Sequence, residues 1–169
     1  MALVAGLVLA SPALAVDSVS FETGRGDEGT ELWRAGAQWD WHKWWFAERS
    51  WSIGAYWDLQ VGRWSGTTDD LWEVGLTPVF RAEPAREGKF FPYVEAAIGF
   101  HLLSDLRVNE RRRFSTSFQY GDHLGFGVRY GERYRYDLGV RLQHLSNGGL
   151  RRHNPGINFW QLRLQYHFR

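Results

Sequence analysis

The chain has 169 residues, no cysteine, ten tryptophans and a formal net charge of +1. One domain is the default at this length, a disulfide framework or thiol nucleophile is excluded, and the charge balance gives no reason to expect a nucleic-acid partner. No apolar run reaches the ~18–20 residues of a spanning helix, so a bilayer could be crossed only by strands.

Residues 1–15 come first and stand apart. An apolar run from Met1 to Ala10 is followed by Ser11-Pro12 and then Ala13-Leu14-Ala15, a small-x-small cleavage pattern. No basic n-region precedes it. The expectation is a signal peptide over 1–15, shortened at its start, and an exported single domain over 16–169.

From there the period is 2 almost throughout. A short run at 17–24 comes first. Trp33, Ala35, Ala37, Trp39 and Trp41 then oppose Arg34, Gly36, Gln38 and Asp40. Trp51, Ile53, Ala55, Trp57, Leu59 and Val61 follow, and after them Trp72, Val74, Leu76, Pro78 and Phe80. A run at 90–102 precedes Phe118, Tyr120, Leu124, Phe126, Val128 and Tyr130. Tyr134 to Leu142 and Trp160 to Phe168 complete eight strands with no internal domain boundary.

Two eight-stranded solutions compete. A lipocalin-like barrel turns its apolar face inward, whereas an outer-membrane barrel turns it toward lipid and fills the lumen with polar groups. Tryptophan decides. Trp33, Trp64, Trp72 and Trp160 fall near one set of strand ends, and Trp41, Trp44, Trp45 and Trp51 near the other, as the two aromatic girdles of a membrane barrel require. Ten indoles would also overfill a lumen that Glu73, Arg81, Glu95, Arg129, Arg141 and Arg163 suit as a paired plug. The fold expected is all-β, an eight-stranded antiparallel outer-membrane β-barrel in a bacterial outer membrane. With both termini periplasmic, the outer connections lie near 25–30, 63–70, 103–116 and 147–157, and the inner ones near 42–49, 83–89 and 131–132. The closing Tyr166-His167-Phe168-Arg169 resembles the outer-membrane assembly signal with one extra Arg.

Alternation makes its exceptions visible. His144 and Ser146 continue the lipid-facing parity of strand seven, and Asn158 takes the same parity on strand eight. Polar groups facing hydrocarbon are costly without partners. Either these strands end among headgroups, or the residues have chemistry to do. His and Ser at i and i+2 on one strand face lie ~6.5–7 Å apart at Cα, within reach for a base and its nucleophile. An Asn opposite could fix the imidazole tautomer through its carbonyl.

The segment His144-Leu145-Ser146-Asn147-Gly148-Gly149-Leu150, followed by Asn154-Pro155-Gly156-Ile157-Asn158, resembles the lipid A 3-O-deacylases, the PagL family. The resemblance is specific over about 25 C-terminal residues. It implies an eight-stranded outer-membrane barrel that hydrolyses the 3-linked acyl ester of lipid A with a Ser-His-Glu triad on its outside, without metal or cofactor. By that likeness Ser146 is the nucleophile and His144 the base. Asn147 and Gly149 match positions of the oxyanion hole, and Asn154 matches a motif asparagine. The family's acid falls on Asn158, and an amide in that place can cost ~10⁴ in turnover through the wrong tautomer. Asp122 is the one acid of outward parity near strand seven, but its expected partners are residues 140–142.

Arg111, Arg112, Arg113, Arg151 and Arg152 in the outer loops suit lipid A phosphates, since the guanidinium fork chelates phosphate. The partners implied are lipopolysaccharide or lipid A and outer-membrane lipids, with a homodimer as one assembly and no nucleic acid. The alternative is a non-catalytic barrel that binds lipopolysaccharide or is structural; a membrane acyltransferase is a weaker third reading, because the His-x-Ser-Asn motif argues for hydrolysis.

Overall fold

In a computed structural model, which describes residues 15–66, 70–85 and 88–168, eight strands close into one antiparallel barrel in chain order. They are β1 (Ser18–Gly26), β2 (Glu31–Trp45), β3 (Trp51–Ser65), β4 (Asp70–Pro84), β5 (Phe90–Leu103), β6 (Phe118–Tyr130), β7 (Tyr136–Ser146) and β8 (Ile157–His167). The seam runs from Ser18 opposite His167 to Gly26 opposite Phe159, so no strand edge is left open. The expected signal segment lies, but for Ala15, outside the described residues. No helix among the described residues is long and apolar enough to cross a membrane.

The pleat sorts the side chains as the membrane solution requires. Leu138, Leu162 and Leu164 are 39%, 46% and 51% exposed on the outer wall, whereas Arg141 and Arg163 are buried in the lumen. The lumen is a network of ion pairs. Arg141 bonds Glu95 at 2.7 Å, Glu22 at 2.5 Å and Asp58 at 3.2 Å. Arg34 joins Glu73 at 2.9 Å, and Arg81 joins Glu95 and Asp137, each at 2.9 Å. Charges this buried are tolerated because each faces its opposite; removing one partner typically costs ~3–5 kcal/mol.

The polar lumen ends short of the mouth that carries the long loops. There Leu32, Trp64, Leu71, Leu103, Leu145, Ile157 and Phe159 pack with Val108 and Phe114 of the 104–117 connection into an apolar cap. Trp64 is therefore a correction to the girdle assignment. It has inward parity on β3, is fully buried, meets Phe159 edge-on at 4.8 Å and donates its indole N–H to Glu73.

At the other mouth, β2 carries a bulge between Asp40 and Trp44, with His42 at φ +53°. β2 gains two residues there relative to β3, so Trp44 keeps the inward parity of Asp40 beyond the bulge. Trp44 therefore faces Gly54 at the lumen entrance beside Tyr56 and Arg81 instead of joining the girdle. Trp45 keeps the outer wall with Trp41 and Phe80, at centroid distances of 6.4 and 6.2 Å. Trp33 and Trp72 meet edge-on at 5.6 Å near the long-loop end.

The β6–β7 connection also departs from the expected two-residue turn. Glu132–Tyr134 form a 3-10 turn in which Arg133 and Tyr134 take positive φ. Tyr134 thus leaves strand seven and packs on Phe91 at 5.3 Å. Tyr130 pairs with Tyr136, which moves the whole hairpin register and with it the neighbour of every β6 residue.

Candidate active site

The moved register builds a row. Asp122 on β6 lies directly opposite His144 on β7, and His144 lies opposite Asn158 on β8. Cross-strand neighbours of this kind stand ~4.5–5.5 Å apart, close enough for side chains to bond. Asp122 is therefore not beside residues 140–142 but at the imidazole, on the far side from Asn158. These three side chains line a hollow on the outer wall together with Leu142 and Trp160.

His144 Nδ1 is 2.8 Å from Asn158 Oδ1. Asn158 is held in turn by Asp27, at the start of the turn between β1 and β2. Both its backbone N–H and its Nδ2–H₂ donate to Asp27 Oδ2 at 3.1 Å. The turn that presents Asp27 is a 3-10 element with Glu28 at φ +57° and Gly29 at φ +77°. Arg112 clasps it from the 104–117 connection, pairing with Asp27 at 3.5 Å and Glu28 at 3.4 Å and donating to the Gly156 carbonyl. Hydrogen bonds from Asn109 and Arg112 hold the Glu28 carboxyl below the usual carboxylate range. Arg112 is thus turned into the loops, with its side chain 12% exposed, while Arg111, Arg113, Arg151 and Arg152 remain exposed. Arg111 and Arg113 border a cleft shared with His153 and Asn154.

Ser146 ends β7 on the same outward face as His144. The motif residues after it are occupied in shaping the loop. The Asn147 N–H donates to Asn154 Oδ1 at 2.9 Å, and Asn147 Oδ1 accepts the Gly149 N–H at 2.9 Å. Asn147 Nδ2 reaches Ser115 Oγ at 2.9 Å and the Arg151 carbonyl at 3.1 Å. The backbone N–H groups of Asn147 and Gly149, the positions matched to the oxyanion hole, are in this geometry committed within the loop. The amide that faces Ser146 Oγ is that of Gly148, at 3.5 Å. Gly148 itself holds φ +63°, a left-handed conformation that favours glycine.

Gly156 sits one residue beyond the last β7–β8 pair, Leu145 with Ile157, where a partner for Ser146 would stand. It has φ +58°, and a Cβ there would lie 2.7 Å from His144 Cε1 and 3.2 Å from Nε2. The glycine keeps the Nε2 side of the imidazole open. Asp27, Gly148 and Gly156 escape a reading based on strand parity, since each is placed by turn geometry or by the barrel seam. Among the described residues no group of three His, Asp or Glu side chains could hold a metal ion.

The chain is similar to known proteins. The family model described as "Lipid A 3-O-deacylase (PagL)" matches residues 31–167. The chain is 31% identical over 146 residues to the lipid A deacylase PagL of Pseudomonas aeruginosa, covering 85% of this chain and 82% of that protein. It is 34% identical over 117 residues to the protein of the same name from Bordetella bronchiseptica, covering 69% and 60%. The crystal structure described as the outer membrane enzyme PagL superposes with a TM-score of 0.81 at 28% identity, covering 89% of this chain and 99% of that one.

Proposed function

The chain belongs to the lipid A 3-O-deacylase (PagL) family and lies in the bacterial outer membrane, and from that premise we propose that it hydrolyses the 3-linked acyl ester of lipid A through Ser146 and His144. The observation that carries this reading is the His144–Asn158 hydrogen bond on the lipid-facing wall. It makes Nδ1 the protonated nitrogen, because Asn158 Oδ1 can only accept. Nε2 is then the free base on the side that Gly156 leaves open.

Nε2 takes the Ser146 hydroxyl proton as Oγ adds to the ester carbonyl. The oxygen of the tetrahedral intermediate is stabilised by donors of the 147–149 turn, with the Gly148 N–H the best placed. Collapse expels the sugar 3-oxygen, which receives the proton from the imidazolium. Water, deprotonated by the same Nε2, releases the 3-hydroxy fatty acid and restores Ser146. The outward apolar surface of Leu124, Phe126, Val140 and Leu142, continuous with the hollow at His144, offers the acyl chain a track along the barrel wall. Arg111, Arg113, Arg151 and Arg152 stand above it for the phosphates, with Arg112 bracing the loops that carry them. Asn147, Gly149 and Asn154 hold the turn in shape.

Mass spectrometry of lipid A from cells expressing the wild type and Ser146→Ala tests the reading. Loss of one 3-hydroxyacyl group with the wild type and none with a folded Ser146→Ala barrel is the expected result. Fully acylated lipid A in both would leave the non-catalytic barrel.

A further inference from the structure

We propose that Asp27, in the turn between β1 and β2, is the acid of this site and acts as a positioning residue through Asn158. The inference rests on the Ser146–His144 reading above and names what replaces the missing triad carboxylate. An asparagine beside a catalytic histidine is ambiguous. Its carbonyl selects the Nδ1–H tautomer, whose Nε2 is a base, whereas its NH₂ group selects the opposite tautomer, whose Nε2 carries the proton and cannot accept the serine's. Nothing in Asn158 alone decides between the two.

Asp27 decides. A carboxylate only accepts, so the Asn158 NH₂ must turn toward Asp27 Oδ2 at 3.1 Å and the carbonyl must turn toward Nδ1 at 2.8 Å. The Asn158 backbone N–H donates to the same oxygen at 3.1 Å, which fixes the strand as well as the side chain. The chain Asp27–Asn158–His144 therefore sets the tautomer from outside the usual three residues. Its charge also stands one amide away from the imidazolium that forms during turnover. Arg112, held against Asp27 and Glu28, keeps the turn in place. Asp122, on the opposite side of His144, is the competing acid. It sits across the ring from Asn158 and cannot sort that amide.

The test is a double-mutant cycle on Asp27 and Asn158, read as kcat and KM for deacylation of purified lipid A by folded barrels in detergent. In the wild-type background Asp27→Asn should lower kcat at least ~10-fold, toward the ~10⁴ limit of a wrong tautomer, with KM within ~2-fold. In an Asn158→Glu background the sign should reverse. The glutamate accepts from Nδ1 unaided and meets Asp27 as a like charge, so Asp27→Asn there should leave kcat unchanged or raise it. A loss of similar size in both backgrounds would reduce Asp27 to a structural support and overturn the proposal. So would an unchanged kcat in Asp27→Asn, or a loss on Asp122→Asn with none on Asp27→Asn. An active wild type that survives Ser146→Ala would instead sink the nucleophile reading, which keeps the two failures distinct.

Discussion

Gly156→Ala is the sharpest single perturbation of this site, because it changes one methyl group and its consequence can be worked out in advance. The alanine must hold φ near +58°, a left-handed conformation that costs an L-residue ~1–2 kcal/mol. Its Cβ would stand 2.7 Å from His144 Cε1, where ordinary contact begins at 3.4 Å. The ring therefore has to retreat by ~0.7 Å, and misplacement on the scale of 1 Å can cost ~10²-fold in turnover. The backbone term alone does not touch the imidazole. Gly149→Ala separates the two, since Gly149 has φ +82° with nothing within 4 Å of its added Cβ. Folding is checked by the heat-dependent mobility shift of the barrel on gels, and activity by kcat and KM on lipid A. Gly156→Ala should lose ~10–100-fold in kcat and clearly more than Gly149→Ala. If folded Gly156→Ala turns over within twofold of wild type, the imidazole does not use the open side that Gly156 provides, and the assignment of Nε2 as the base fails.

Two further outcomes are expected. Neutralising Arg111, Arg113, Arg151 and Arg152 together should raise KM at low ionic strength and converge on the wild-type KM at high salt, because exposed charges are screened over ~8–10 Å; an unchanged KM at low salt would make them solubilising residues only. Arg141→Met should lower barrel stability by ~3–5 kcal/mol, read as an earlier thermal mobility shift, since Glu22, Asp58 and Glu95 lose a shared cation. The folded fraction should keep its turnover, and a variant as stable as the wild type would show that the lumen network tolerates the loss.

Strand parity carried most of the fold into the sequence. Every residue from Phe90 to Leu103 alternates between the lumen and the lipid wall, and only a membrane barrel gives that alternation with arginine inside. Trp64 went astray because indoles near strand ends suggest a girdle, although its parity on β3 is inward. Its ring closes an apolar cap that depends on Val108 and Phe114 arriving from a distant loop, and no local pattern announces such an arrival. The position of Asp122 turned on one connection. A two-residue turn at 131–132 would pair Tyr130 with Arg133, but the 3-10 turn pairs it with Tyr136 and carries Asp122 up to His144. His144, Ser146 and Asn158 were legible as polar exceptions on an apolar face. Asp27 was not, because it reaches the site only through the seam that closes β1 onto β8.

The same geometry favours the proposed site on the wall over one in the lumen. The interior offers a substrate from the outer leaflet no way in: ion pairs fill its middle, and the apolar cap seals the mouth beneath the long loops. A substrate held in the outer leaflet gains nothing from entering it. The wall poses the opposite difficulty, since each polar group there loses hydration to lipid. That loss is smallest at the outer strand ends, and hydrogen bonds within the site reduce it further. His144 bonds Asn158, Asn158 bonds Asp27, and Arg112 holds Asp27, so the charge that reaches the imidazole through Asn158 is paired with a cation anchored to the loops. With an amide at 158, the formal charge of the proposed chain sits on Asp27, in the turn between β1 and β2. The carboxylate then keeps its command of the tautomer while it stands among the loops, where an ion pair can satisfy it. On this reasoning Asp27 and Asn158 act as one unit, and the amide sorts the imidazole tautomer only while the carboxylate accepts from it.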